Sequence, residues 1–129
     1  MYEELTIAEL TSEARRIFQE GKNPKGEIGE SWHDLAGILT VLHNRKPDVE
    51  VFKKWCAEIG IFWRVAYDLL RLRKCFIQHD IQPPPGISWK ILSVAQPALT
   101  WRSQAEIFTQ CRKMTIKEMA AFVKIYPKD

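Results

Sequence analysis

The chain of 129 residues is long enough for one domain, and 46% hydrophobic residues with 11% aromatics are enough for a single core. This composition excludes a chain that is disordered over most of its length. The sequence contains no run of about 18 apolar residues, so we expect no membrane span. The net charge of +3 is unevenly placed, since residues 1–64 contain 9 basic and 11 acidic side chains and residues 65–129 contain 10 and 5. A polyanionic partner would be attracted to the C-terminal half.

The three cysteines favour a reducing environment. Their number is odd and they lie far apart in apolar helical stretches, at Cys56, Cys75 and Cys111. This pattern is typical of buried, reduced thiols. No secretory signal is recognisable. We therefore expect a cytoplasmic protein without a disulfide framework.

Capping signals and apolar residues at helical spacing predict the first two helices. Thr6 and Glu9 form a capping box before the first helix, which stops near Gly21 in a cluster of turn residues. Ser31 can cap the second helix, and the segment 44–47 ends it. The buried side of that helix consists of Leu35, Ile38, Leu39 and Leu42.

Two further helices follow at once. Asp48 caps the third helix, Gly60 ends it, and the fourth helix reaches about His79. The segment from Phe52 to Leu72 has the order of small, apolar and turn residues that is typical of a helix-turn-helix. This motif predicts a DNA-binding protein.

Each structural part of a helix-turn-helix is present in that segment. Cys56 is a small residue where the two helices must approach closely, and Gly60 permits the positive φ of the turn. Ile61 closes the turn as an apolar plug, while Trp55 and Ile59 are predicted to face the core. The anchors beneath the fourth helix are Ala66, Leu69 and Leu72.

The other face of the fourth helix is predicted to bind DNA. Its arginines can hydrogen-bond guanine edges or phosphates. Phe62 and Trp63 are larger than the polar residues usual at the start of a recognition helix, so with Tyr67 they could instead form a docking surface for a protein. An ordinary helix pair in an all-α core is the third interpretation. The candidate DNA-binding residues are Phe62, Trp63, Arg64, Tyr67, Asp68, Arg71, Arg73 and Lys74.

The proline run at 83–86 is the sharpest break in the chain, because it cannot be helical. It predicts an N-terminal helical region at 1–82, with the helix-turn-helix at about 49–78, and a C-terminal helical subdomain at 87–129.

Three helices are predicted in the C-terminal region, which gives an all-α chain of six to seven helices and no strand. The first is capped by Ser88 and stops near Pro97. The other two begin at capping boxes formed by Ser103 with Glu106 and by Thr115 with Glu118.

Three segments resemble the DNA-binding region of the ParB and KorB partition or repressor proteins. They are IGIFWRVAYDLLRL, GISWKILSVAQPAL and MTIKEMAAFVK, and the resemblance covers roughly residues 30–125. It implies a stand-alone DNA-binding module, of a kind common on phages and plasmids, in which Arg64, Tyr67, Asp68 and Arg71 face bases or phosphates. The family's nucleotide-binding domain, arginine-rich box and separate dimerisation domain have no counterpart in this sequence, so nucleotide-gated spreading is not implied.

No pattern in the chain indicates catalysis. Cys75 and His79 are spaced i, i+4, but two ligands do not make a zinc site. His33 and His43 are expected at the surface or at helix ends, and no catalytic motif is recognisable. We expect a protein that is not an enzyme and that binds no metal or cofactor.

Two functional hypotheses follow. The first is a DNA-binding regulator of transcription, replication or partition that belongs to a phage, plasmid or other mobile element and binds double-stranded DNA, with a homodimer as a further expectation. The alternative is a helical protein-protein interaction module, for example a phage-encoded inhibitor, that docks through Phe62, Trp63 and Tyr67.

Overall fold

The computed structural model describes residues 2–21, 31–99 and 104–125. Within these ranges all regular structure is helical, which confirms the all-α fold class. A short 3-10 helix covers Tyr2–Glu4. The α-helices are α1 (Ile7–Gly21), α2 (Trp32–Arg45), α3 (Val49–Ile59), α4 (Trp63–Gln78), α5 (Trp89–Leu99), α6 (Gln104–Lys113) and α7 (Ile116–Ile125).

The chain forms two compact units, Met1–Arg73 and Lys74–Asp129, and the division falls inside α4. The segment 83–86, which the sequence predicts as the connector, is not helical. None of the described helices is long and apolar enough to cross a membrane.

The first unit is built around α1, which packs against α2 and α3. All three helices contribute side chains that are completely or almost completely removed from water, and α4 adds the three anchors that its periodicity predicts. The core side chains of this unit include Leu10, Ala14, Trp32, Leu35, Ile38, Leu39, Leu42, Phe52, Ile59, Ala66, Leu69 and Leu72.

In the second unit α5 packs against both α6 and α7. The buried side chains are Trp89, Leu92, Ala95, Ala98, Leu99, Ile107, Cys111 and Met119.

Two of the predicted capping boxes are confirmed. The Thr6 N–H donates to Glu9 Oε1 at 2.8 Å, and the Glu9 N–H donates to Thr6 Oγ1 at 3.1 Å. Thr115 and Glu118 make the same reciprocal pair ahead of α7 at 2.8 and 3.1 Å. Both boxes satisfy N–H groups that a helix leaves unpaired at its start.

Single-residue caps hold the starts of α3 and α5. Asp48 Oδ1 accepts from the N–H groups of Glu50 and Val51 at 2.9 and 3.2 Å. Ser88 Oγ accepts from the Lys90 N–H at 3.2 Å. The predicted cap at Ser103 lies outside the described residues.

Two local predictions are wrong. Ser31 precedes α2, but its side chain makes no capping hydrogen bond, because φ −70° and ψ 0° differ from the extended backbone of a side-chain cap. The helix expected to stop near Pro97 continues to Leu99. An interior proline costs about 3 kcal/mol, and the burial of Ala98 and Leu99 helps to offset this cost.

Gly60 ends α3 in the left-handed conformation, with φ 96° and ψ 14°. Its N–H and that of Ile61 both donate to the carbonyl oxygen of Cys56, at 2.9 and 3.0 Å. Ile61 is 4% exposed and so fills the predicted apolar plug position. Trp55, which was expected in the core, is only half-buried. Only Gly60, Ile61 and Phe62 separate α3 from α4.

Replacing Gly60 by Ala should lower the free energy of unfolding by about 1 kcal/mol, because an L-residue is strained at positive φ. A Cβ at Gly60 would meet its neighbours only at ordinary contact distance, so the strain arises in the backbone. Urea unfolding followed by circular dichroism measures the change.

Gly37→Ala is the matched control. Gly37 lies inside α2, where Ala is the better helix former, and its Cβ would be 3.5 Å from Arg73 Nε, an ordinary contact. This variant should be as stable as the wild type or more stable. Equal losses in both variants would contradict the role assigned to the turn.

Candidate functional site

The candidate site is the solvent-facing side of α4. Arg64, Asp68 and Arg71 lie three or four residues apart and therefore share one stripe of the helix. Both arginines are exposed, and Arg71 Nη2 lies 3.1 Å from Asp68 Oδ1. The two side chains of this pair are 60% and 40% exposed. An ion pair in that setting contributes about 0–1 kcal/mol, so a phosphate oxygen can replace the carboxylate on Arg71.

An aromatic row runs from the surface into the core of the first unit. It consists of Phe62, Trp63, Tyr67 and Phe52. Successive ring centroids are 5.9, 6.1 and 5.0 Å apart. Phe62 is 58% exposed, whereas Phe52 is fully buried. The exposed end of the row is therefore held by rings that are anchored below it.

His43 of α2 packs against the buried part of this row. Its ring centroid lies 5.3 Å from that of Phe52 and 5.8 Å from that of Tyr67, both in edge-to-face arrangements. The sequence predicted His43 at the surface or at a helix end, and it lies in the last turn of α2, half-buried among aromatic rings. Burial, with a smaller contribution from the Asp48 carboxylate, raises the pKa of Tyr67, so its hydroxyl stays protonated and can donate a hydrogen bond.

Two cations approach the ring of Trp63. Lys53 Nζ lies 4.4 Å and Arg64 Cζ 5.2 Å from its centroid, and Arg64 Cζ is also 6.0 Å from the ring of Phe62. Cation–π contacts of this kind contribute about 0.5–1 kcal/mol at exposed sites. Lys53 also lies 3.8 Å from the largely exposed Glu50 carboxylate. The aromatic row therefore has basic neighbours and is not a purely apolar patch.

Arg73 and Lys74 have surroundings that differ from those of Arg64 and Arg71. Lys74 is exposed and begins the second unit. Arg73 is half-buried beside Gly37 of α2, and its buried Nε has no hydrogen-bond acceptor. It lines a surface cavity of about 410 Å³ with Arg45, whose Nη2 donates to the carbonyl oxygen of Glu3 at 2.6 Å.

The sequence pattern of α4 does not predict three further residues of the site, which are Lys53, Phe52 and His43. They lie on α2 and α3, and only the packing of those helices brings them to Trp63 and Tyr67. Periodicity along one helix contains no signal for such a contact.

The reactive groups elsewhere are buried or isolated. Cys56, Cys75 and Cys111 are all buried thiols. Cys75 is buried while His79 is exposed, so the two do not form a paired site. Among the described residues, no group of three or more His, Cys, Asp or Glu side chains could hold a metal ion. Burial, followed by the charge of Arg73, lowers the pKa of the half-buried His33.

No protein family model, curated protein or solved structure matches this chain.

Burial raises the pKa of the Cys56 thiol from 9.0 to about 12. Between about pH 9 and pH 12 the Cys56 thiol thus keeps its proton in the folded state and loses it in the unfolded chain. The resulting stability is complete below about pH 9 and falls as the pH rises towards 12. Above about pH 9 this thiol should therefore lower the free energy of unfolding steadily as the pH rises.

The variant Cys56→Ser removes the titrating group, so its unfolding free energy should fall less steeply with pH over this range, whatever its absolute stability. Ala57→Ser, at an exposed position next to it on α3, should keep the full wild-type slope. Urea unfolding at several pH values measures both. Identical slopes for all three proteins would show that the Cys56 thiol is not buried as described.

Proposed function

We propose that the protein binds double-stranded DNA through the exposed face of α4, as a regulator of transcription, replication or partition. The observation that carries this proposal is the position of Arg64 and Arg71 on one stripe of the helix, two turns apart and both exposed. Asp68 and the half-buried Tyr67 lie between them on the same side of the helix, and the ion pair of Asp68 with Arg71 is exposed to solvent. Arginines in this setting can bond phosphates or, in two-pronged fashion, guanine edges.

The start of α4 favours an anion. Its first turn contains no acidic residue, and Phe62, which precedes it, has no side-chain acceptor to cap the helix. The first N–H groups of a helix are unpaired within it and lie at the positive end of its dipole. A DNA phosphate near this end would accept hydrogen bonds from the backbone, as phosphates do at other helix N-termini.

The second unit supplies further positive charge. On α6 and α7 the exposed basic residues are Arg112, Lys113, Lys117 and Lys124. Glu118, on the same segment, is engaged in the capping box with Thr115. These cations would by themselves attract a polyanion to the second unit.

A dimer would fit this mode of binding. A lone recognition helix contacts one major groove, and two copies of the chain would place two such helices on successive turns of the duplex, about 34 Å apart. The symmetric half-sites of the DNA would then match the symmetry of the protein.

The alternative function is docking of a protein partner on Phe62, Trp63 and Tyr67. The observation that favours it is the 58% exposure of Phe62 at the end of the aromatic row. Lys53 beside the Trp63 ring weighs against it, because the cores of protein interfaces are depleted in charged residues other than Arg. The phosphates of duplex DNA attract both cations, Lys53 and Arg64.

Arg64→Ala and Arg71→Ala should each weaken binding to duplex DNA, because each removes a cation that contacts a phosphate or a base. Fluorescence anisotropy with a random-sequence duplex at several salt concentrations measures the effect. The logarithm of the wild-type affinity should fall steeply with the logarithm of salt, and a variant that loses a phosphate contact should reduce that slope by about 1.

The matched control is Arg16→Ala, which removes the same charge from an exposed side chain on α1 that is paired with Glu13 and Glu20. It should leave the affinity almost unchanged. Absence of duplex binding at low salt would contradict the proposal, as would equal losses for Arg16, Arg64 and Arg71.

A further inference from the structure

Phe62 is one of two large hydrophobic side chains that the described part of the first unit leaves exposed, at 58%, the other being Val49 at 52%. The neighbouring Ile61 is 4% exposed. The turn at Gly60 thus directs one apolar residue inward and leaves the next in water.

The backbone and the neighbouring side chains fix the place of this ring. The carbonyl oxygen of Phe62 accepts from the Ala66 N–H at 3.1 Å, so Phe62 is bonded into the first turn of α4. Its ring centroid lies 5.9 Å from that of Trp63, with the two planes tilted by 58°, and Arg64 Cζ is 6.0 Å away. The ring therefore projects at the end of the helix that a recognition helix places against base edges.

The chemistry of the ring limits what it can distinguish. Phe62 has no hydrogen-bond donor or acceptor, so it cannot bond to a base. In the major groove the one apolar group on a base edge is the 5-methyl group of thymine. Arg64, the next cation along the chain, would favour a neighbouring guanine or phosphate.

We propose that Phe62 is a specificity-determining residue that contacts a thymine methyl group in the major groove. This inference rests on the proposed DNA binding and deepens it. Thymine at one position of the site is preferred because its methyl group and the exposed ring leave water together. Arg64 and Arg71 bind phosphates or guanines at neighbouring positions, and Phe62 adds the preference for thymine.

The experiment begins with the full chain and selection of bound duplexes from a random-sequence pool. In the enriched duplex each thymidine is then replaced in turn by deoxyuridine, which pairs identically and lacks only the methyl group. For each bound copy of the protein, the replacement at one position should weaken binding about fourfold, which is the effect expected for one buried methyl-sized group. In Phe62→Ala that sensitivity should disappear.

Two variants sharpen this test. Phe62→Leu keeps an apolar side chain without the ring, so it should retain part of the methyl sensitivity, whereas a ring that stacks on a base would lose all of it. Val49→Ala, at the other large hydrophobic side chain exposed in the described part of the first unit, should keep the full wild-type sensitivity. Circular dichroism of each variant should show unchanged helix content, since both side chains are exposed.

The possible results distinguish failure of the thymine contact from failure of the proposed DNA binding. An enriched duplex without a sensitive thymidine overturns the inference and leaves DNA binding intact. The same holds if the sensitivity persists in Phe62→Ala or is lost entirely in Phe62→Leu. If the chain binds random-sequence duplex but no sequence is enriched, the inference fails and the proposed function stands. If the chain binds no duplex at all, the proposed function fails and the inference falls with it.

Discussion

The carbonyl oxygen of Cys56 accepts the N–H groups of both Gly60 and Ile61, and these two hydrogen bonds fix where α3 ends. They require the left-handed backbone that Gly60 adopts with φ 96°. Ile61 then enters the core and Phe62 stays in water. Because each residue turns a helix by about 100°, a turn one residue longer or shorter would bring a different set of α4 side chains to the surface.

The opposite sides of α4 differ in burial. Ala66, Leu69 and Leu72 are fully buried and hold the helix against the first unit. Arg64 and Arg71 face solvent and make only exposed contacts, which a ligand can exchange at little cost. The buried side chains therefore hold the helix in place, while the exposed arginines can exchange their partners for a ligand. This combination suits a surface that must present side chains to a regular polymer such as DNA.

Local patterns in the sequence were sufficient for the helices, most of their caps and the anchors of α4, because those features depend on residues within one or two turns. Contacts between helices were not predictable in this way, and Lys53 reaches Trp63 only through the packing of α3. The half-buried Arg73 could have been predicted, since it lies four residues after the anchor Leu69. The helix through Pro97 could not, because burial of the residues beyond it overrides the local preference.

Nuclear magnetic resonance of the backbone amides during titration with a random-sequence DNA duplex at low salt tests most directly whether α4 binds DNA. Chemical-shift changes should concentrate between Ile61 and Arg71 and at Lys53, while the buried middle of α1 should stay unchanged. The changes should reverse when salt is added, since phosphate contacts release counterions. No change on α4, or changes confined to the second unit, would contradict the proposal that α4 is the DNA-binding helix.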